Sequence, residues 1–230
     1  MKKLIQTQSK TKAGGANGYN CHAGYLYYYD GKKIETEHFI HQETIWQVMH
    51  FKDGINKKIM GKLIDLMQFA LSIYSRILAV RIDIKCYLES QNNKPISDFF
   101  RHLIPKLKRK YGNGIYYAWV REQGEESQCP HYHAVILFNG HKINHPSKLI
   151  KLVRNDIELN PHLNFYCPQN CYYKLTRYDT SSQQAFVYRL SYLSKNETKK
   201  NNAPFKVFQL SKPLKMLKED HKIANLKLHH

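Results

Sequence analysis

Two histidines separated by one residue, His131-Tyr132-His133, open an apolar run that continues through Ala134-Val135-Ile136-Leu137-Phe138 to Asn139. In a strand, residues two apart point to the same face, so both imidazoles can reach one metal ion. Pro130 and the polar segment Gly124-Glu125-Glu126-Ser127-Gln128 predict a turn, which sets the histidine pair at the start of its strand. Before that turn, Tyr116-Tyr117-Ala118-Trp119-Val120-Arg121-Glu122 reads as another strand. Strands joined by a short connection pair as an antiparallel hairpin, which brings Glu122 close to His131. Two imidazoles and a carboxylate supply three ligands for a divalent ion (Mg2+ or Mn2+) and leave positions open for water or substrate.

A second group lies further along. Ser181-Ser182-Gln183-Gln184 opens a predicted helix that continues through Lys195, with Phe186, Leu190 and Leu193 as its core stripe. Tyr188, Tyr192 and Lys195 repeat that spacing two positions later, a rotation of about 200° at about 100° per residue, so they share a separate face. Together the two groups make sense as one reaction. A divalent ion held by His131, His133 and Glu122 polarises a phosphodiester, and a tyrosine hydroxyl attacks to form a covalent phosphotyrosine link. Lys195 orients the phosphate or stabilises the charge that builds up. The link conserves the phosphodiester energy, so the strand can be rejoined.

The elements that must position these groups follow from periodicity. Apolar residues at spacings of three and four predict a helix over roughly 56–76. Leu78 to Ile84 predicts a strand with Val80, Ile82 and Ile84 on one face and Arg81 and Asp83 on the other. A helix opens at Pro95 and ends in the basic tail Lys106-Leu107-Lys108-Arg109-Lys110, followed by a Gly112-Asn113-Gly114 turn. Lys148 to Leu159 predicts a further helix and Cys171 to Thr176 a further strand. Tyr25 to Tyr29 is an aromatic run that reads either as a short strand or as a packing patch.

Composition narrows the class. The chain has 230 residues, 42% of them hydrophobic, which suits one folded domain with a substantial core. Lysine and arginine outnumber aspartate and glutamate by 36 to 18, a net charge of +18, which points to a polyanionic partner. No apolar run approaches the roughly 18 residues of a membrane span, so nucleic acid is favoured over a membrane. Seventeen tyrosines supply rings on which unpaired bases could stack. Five scattered cysteines make a poor disulfide framework, and no apolar stretch follows Met1-Lys2-Lys3 as in a signal peptide, so a cytoplasmic location is expected. Cys167 and Cys171 have no second pair, which argues against a structural zinc site.

The His131-Tyr132-His133 strand, with Tyr192-Leu193-Ser194-Lys195 reading as Tyr-x-x-Lys, resembles the HUH endonucleases: rolling-circle replication initiators, relaxases and related transposases. More narrowly, Trp119-Val120-Arg121-Glu122-Gln123, the histidine strand ending in Asn139, and Arg189-Leu190-Ser191-Tyr192-Leu193-Ser194-Lys195 look like the gene-II-type replication proteins of filamentous phages and prophages. Arg81-Ile82-Asp83 also matches the early strand of that group. The resemblance runs from about Leu78 to Lys200. It implies an α+β fold, a central antiparallel β-sheet flanked by helices (a ferredoxin- or RRM-like core), with the histidine strand in the middle. It makes Tyr192 the nucleophile, His131 and His133 metal ligands, and Lys195 the supporting base. Asp83 is the rival of Glu122 for third ligand, and Tyr188 a second nucleophile of the two-tyrosine kind. Arg81, Arg121, Arg189, Lys199 and Lys200 are expected on the DNA.

The implied division is a flexible basic arm at 1–20, an N-terminal segment with one long helix at 21–76, the endonuclease core at 77–212 and a basic tail at 213–230. The implied function is metal-dependent nicking and rejoining of single-stranded or hairpin DNA at a replication origin of a phage or mobile element. No Gly-x-x-x-x-Gly-Lys-[Ser/Thr] loop occurs, so helicase and polymerase would come from the host. Two further readings remain: a transposase or relaxase with the same chemistry, and a non-catalytic single-stranded-DNA-binding protein on the same fold.

Overall fold

The computed structural model describes residues 19–22, 25–28, 35–87, 89, 92–123, 129–196 and 205–211. It is an α+β fold in which helices cover both faces of one antiparallel sheet. Two small hairpins come first: β1 (Tyr19–His22) with β2 (Tyr25–Tyr28), and β3 (Glu37–His41) with β4 (Thr44–Val48). The aromatic run at Tyr25 is therefore strand in its first four residues. Next come α1 (Lys57–Ile73), β5 (Arg76–Cys86), α2 (Lys94–Tyr111), β6 (Ile115–Glu122), β7 (His131–Asn139) and α3 (Ser147–Glu158). The chain continues as β8 (Leu163–Tyr166), β9 (Tyr172–Thr176), α4 (Thr180–Ser194) and β10 (Phe208–Leu210).

The main sheet runs β10-β6-β7-β5-β8, and β9 pairs with β5 beside β8. β7 thus sits in the middle, as the resemblance implies. β5 is the longest strand and is paired along both edges. On one side it meets β7 from Ile77 to Lys85; on the other its first half meets β9 and its last four residues meet β8. The chain between β8 and β9 leaves the sheet at Arg81, whose backbone N–H donates to the Cys171 carbonyl at 2.6 Å.

Alternation along the strands divides two cores. Leu78, Val80, Ile82 and Ile84 of β5 and Tyr132, Ala134, Ile136 and Phe138 of β7 pack against α2 and α3. On the opposite face, Ile77 and Ala79 of β5, Ala118 and Val120 of β6 and Val135 and Leu137 of β7 pack against α1 and α4. Phe39, Trp46 and Val48 of the β3–β4 hairpin join this second core, so the expected boundary between residues 76 and 77 runs through the middle of one hydrophobic cluster.

α4 lies deeper than its sequence suggests. Ser182 and Gln184 to Tyr188 are buried, as are Leu190, Ser191, Leu193 and Ser194. The face expected to hold tyrosines apart from the core is itself enclosed, because the β3–β4 hairpin closes over it. The Gln184 amide accepts from Gln47 N–H at 3.0 Å and donates to Gln47 C=O at 2.8 Å, as a neighbouring strand would. Ser191 Oγ accepts from Met49 N–H at 3.0 Å.

The Lys106–Lys110 tail ends α2, on the side of the sheet away from α4. Lys106 itself is held by Asp156 of α3 at 2.7 Å.

Candidate active site

Strand register assembles the candidate residues. β6 sets Glu122 beside His131 and Val120 beside His133; β5 sets Lys85 on the other side of His131 and Asp83 beside His133. Because one face of these strands carries Glu122, His131, His133 and Asp83, their side chains meet under the C-terminal end of α4. The hairpin proximity of Glu122 and His131 expected from the sequence is present as a direct register pair.

His133 is the hub. It is 3% exposed, with Nδ1 at 2.8 Å from Asp83 Oδ1 and Nε2 at 3.1 Å from Glu122 Oε2. Asp83 in turn takes both of its oxygens to Arg81, Oδ1 to Nε and Oδ2 to Nη2, each at 3.0 Å. Burial alone would raise the Asp83 carboxyl, but hydrogen bonds and charge from His133 and Arg81 outweigh it and hold the group well below the usual carboxylate range. At His131 burial, then the neighbouring His133, pull the imidazole below its ordinary value, which favours the neutral form that binds metals.

Tyr192 closes the site from above. Its ring stands edge-on to His133 with centroids 5.3 Å apart, and carries the Arg81 guanidinium at 4.6 Å and the Lys195 ammonium at 4.4 Å. Lys195 Nζ donates to the Tyr192 hydroxyl at 3.3 Å and lies 3.4 Å from Glu122 Oε2. The end of α4 is fixed for this purpose. Lys195 forms a β-bridge with Ile55, Asn56 N–H donates to Ser194 C=O at 2.7 Å, and Asn196 N–H to Gly54 C=O at 3.1 Å. Burial works to lower the Lys195 pKa, yet Glu122 and the Tyr192 hydroxyl outweigh it and raise it. The amine is therefore held as an ammonium, a donor and a positive charge beside the Tyr192 hydroxyl.

The residue types fit a divalent cation. Asp83, His131 and His133 each offer a ligand atom within 4.8 Å of the others. His133 Nε2 is buried, makes no hydrogen bond among the described residues and faces Glu122. Asp83 is the carboxylate of that group, and Glu122 meets it through His133 Nε2 at 3.1 Å. Asp83 is the more committed of the two, since it already holds Arg81 with both oxygens and the far nitrogen of the ring.

Other expected residues are placed differently. Arg81 is 5% exposed and inside the cluster rather than on an outer DNA-facing surface, although its Nη1 is buried without a hydrogen-bond partner among the described residues. Arg121 follows the alternation of β6 onto the opposite face. There it donates to Asn92 C=O at 2.7 Å and lies 3.8 Å over the Phe205 ring, so it braces the α2 side and does not reach the histidines. Tyr188 is buried in the core with Ala185, Phe186 and Leu190, whereas Tyr192 one turn on is only partly buried. Arg189 is half-buried and donates to Gln169 C=O at 3.5 Å. Lys199 and Lys200 lie outside the described residues, as do residues 1–18 of the arm expected at 1–20 and the tail at 213–230; Tyr19 and Asn20, the last two residues of that arm, open β1.

Sequence reasoning missed the Arg81–Asp83–His133 chain as a unit. The signal was present: two opposite charges at i and i+2 interrupt an otherwise apolar strand, and buried charges persist only when paired. It also missed Phe51, whose ring is 6.3 Å from that of Tyr192 and edge-on to it.

No curated protein matches the chain, and no solved structure does. Among protein families, the YagK/YfjJ C-terminal domain matches residues 40–211, a stretch that holds every residue of the cluster from Arg81 to Lys195. That match covers well over half of the chain, which therefore belongs to the YagK/YfjJ C-terminal domain family.

Proposed function

We propose that this domain nicks and rejoins single-stranded DNA through a covalent phosphotyrosine, as the initiator of rolling-circle replication of a phage or mobile element in a bacterial cytoplasm. The observation that carries the reading is Lys195 Nζ, which bridges the Tyr192 hydroxyl at 3.3 Å and Glu122 Oε2 at 3.4 Å and so ties a nucleophile to a buried histidine–carboxylate group. A tyrosine, a lysine, two imidazoles and two carboxylates converging in one place suit phosphoryl transfer.

In this reading His131, His133 and Glu122 would hold a Mg2+ or Mn2+ ion, which would supply Lewis-acid polarisation of the phosphodiester. Asp83 keeps His133 oriented through Nδ1, as carboxylates behind metal-ligating histidines do. Arg81 fixes Asp83 and offers its spare Nη1 to a phosphate oxygen. Lys195 and Arg81, one on the hydroxyl and both over the ring, stabilise the phenolate as the Tyr192 proton leaves. The Tyr192 oxygen bonds to phosphorus, the bond to one deoxyribose oxygen breaks, and that oxygen ends with the proton the phenol gave up. Attack by a deoxyribose hydroxyl on the phosphotyrosine reverses the sequence and rejoins the strand. Unwinding and synthesis fall to host helicase and polymerase.

The test is a denaturing gel. Protein is incubated with a pool of labelled single-stranded oligonucleotides and Mn2+ or Mg2+, and a covalent protein–DNA adduct is expected. Tyr192→Phe should abolish it, EDTA should abolish it, and Tyr188→Phe should leave it. An adduct that survives Tyr192→Phe and disappears only when Tyr188 is also replaced would establish alternating tyrosines instead. Binding that survives EDTA across the pool, with no adduct at all, would leave a DNA-binding module without chemistry.

A further inference from the structure

The face of the sheet that carries the histidines is only partly roofed. α1 and α4 pack on it near Tyr192, and beyond Asp83 the same face carries the exposed side chains of Lys85, Tyr87, Asn164 and Tyr166. The register sets Lys85 beside Asn164 and Asp83 beside Tyr166, and the antiparallel pairing carries on past β5, where Tyr87 N–H donates to His162 C=O at 2.9 Å. Two rows therefore cross the strands: Glu122, His131, Lys85 and Asn164 in one, and Val120, His133, Asp83 and Tyr166 in the next. Adjacent strands are about 4.8 Å apart, so the open end begins a strand's width from the histidine pair.

What lies there is unusual for a bare surface. Tyr166 is 63% exposed and Tyr87 51%, among the few large apolar side chains left in water. Tyr87 is also held in place. Asn164 Nδ2 donates to its hydroxyl at 2.9 Å, and Lys85 Nζ lies 5.6 Å from its ring. Asn164 Oδ1 is itself anchored by the Phe165 N–H at 2.7 Å. Flat rings on a rigid sheet with a lysine between them are what unpaired bases on a phosphate chain need: a π-face for each base and a cation for the backbone. The chain's +18 charge favours the same occupant.

We propose that Tyr87 and Tyr166, with Lys85 between them, form a stacking platform for the bases of single-stranded DNA adjoining the phosphate at Tyr192. This rests on the nicking reading for what happens next to the platform, but the platform has its own readout. Fluorescence anisotropy is measured, in EDTA, with a labelled oligo-dA strand and with a strand of the same length made of abasic sugar-phosphate, which has equal charge and no bases. Wild type should prefer oligo-dA. Tyr87→Ala and Tyr166→Ala should each lower its affinity for oligo-dA by about tenfold, leave the abasic strand unchanged, and so shrink the preference. Tyr87→Phe and Tyr166→Phe should restore it, since stacking needs the ring and not the hydroxyl. Lys85→Gln should weaken both strands alike and reduce the salt slope by about one counterion. A double alanine variant that keeps the wild-type preference overturns the platform, even if the adduct forms normally. Loss of the preference without any adduct from wild type would overturn the nicking reading and leave the platform standing.

Discussion

Asp83 and Glu122 flank His133 from opposite sides, and their unequal surroundings decide how each should respond to change. Asp83 is locked by Arg81, so it suits orienting the ring; Glu122 faces the nitrogen that makes no hydrogen bond among the described residues. Glu122→Gln should therefore weaken Mn2+ binding, read by calorimetry, by more than 100-fold, whereas Asp83→Asn should cost about 10–100-fold. The reverse order would make Asp83 the ligand. Asp83→Asn carries a second penalty, because removing one partner of a buried pair leaves Arg81 uncompensated, at about 3–5 kcal/mol of stability. On the far face, Tyr132 is buried and its hydroxyl donates to Asn93 Oδ1 at 3.3 Å. Burial pushes its pKa up to about 12, against about 10 in an unfolded chain. Between those values the unfolded chain has lost a proton that the folded one keeps. The stability tied to this group is full below about pH 10 and is lost as pH rises towards about 12. Urea unfolding measured from pH 9 to 12 should show a steep fall, and a shallower one in Tyr132→Phe; equal slopes would assign the fall to other tyrosines.

At the scale of elements, the site depends on a helix held by a hairpin that joins no edge of the main sheet. Gln184 satisfies both backbone groups of Gln47 from within α4, so Gln184→Ala leaves a donor and an acceptor without partners in a part-buried seam. The expected cost is about 2–4 kcal/mol, read as a lowered denaturation midpoint. A drop under about 1 kcal/mol would mean that water replaces the amide. Elements with strong internal pattern were legible from sequence. β5 places Arg81 and Asp83 between its apolar residues, β7 is a continuous apolar run behind its histidine pair, and α1 repeats its apolar residues every three or four. The short strands were not. β8 and β10 have four and three residues, and their existence depends on partners in β5 and β6 far along the chain rather than on their own composition. The enclosure of α4 was hidden for the same reason, since the covering hairpin comes some 140 residues earlier.

Viewed as a whole, the molecule brings its chemistry together from β5, β6, β7 and the end of α4. The histidine pair and the Tyr192–Lys195 turn each looked ordinary in isolation, and only the fold makes them neighbours. Local pattern could place the two halves of the site on their elements and could pair Glu122 with His131 through one hairpin. It could not show that Lys195 points back to Glu122, because that contact spans more than seventy residues. Arg121 shows the opposite lesson. Its neighbour Glu122 faces the histidines, so strict alternation already consigned Arg121 to the other side.

β5 has one more consequence, for the chain while it is being made. Every strand that pairs with it is synthesised later, β7 some tens of residues on and β9 later still. For a period on the order of seconds at ribosomal rates, Leu78-Ala79-Val80-Arg81-Ile82-Asp83-Ile84 leaves the ribosome as an apolar strand with no partner. Such a segment is prone to pair with copies of itself, and a charge inside it is the usual safeguard. Arg81 and Asp83 then act twice in the life of the protein: first as gatekeepers that keep the newborn strand from self-association, and later as the buried pair that steadies His133.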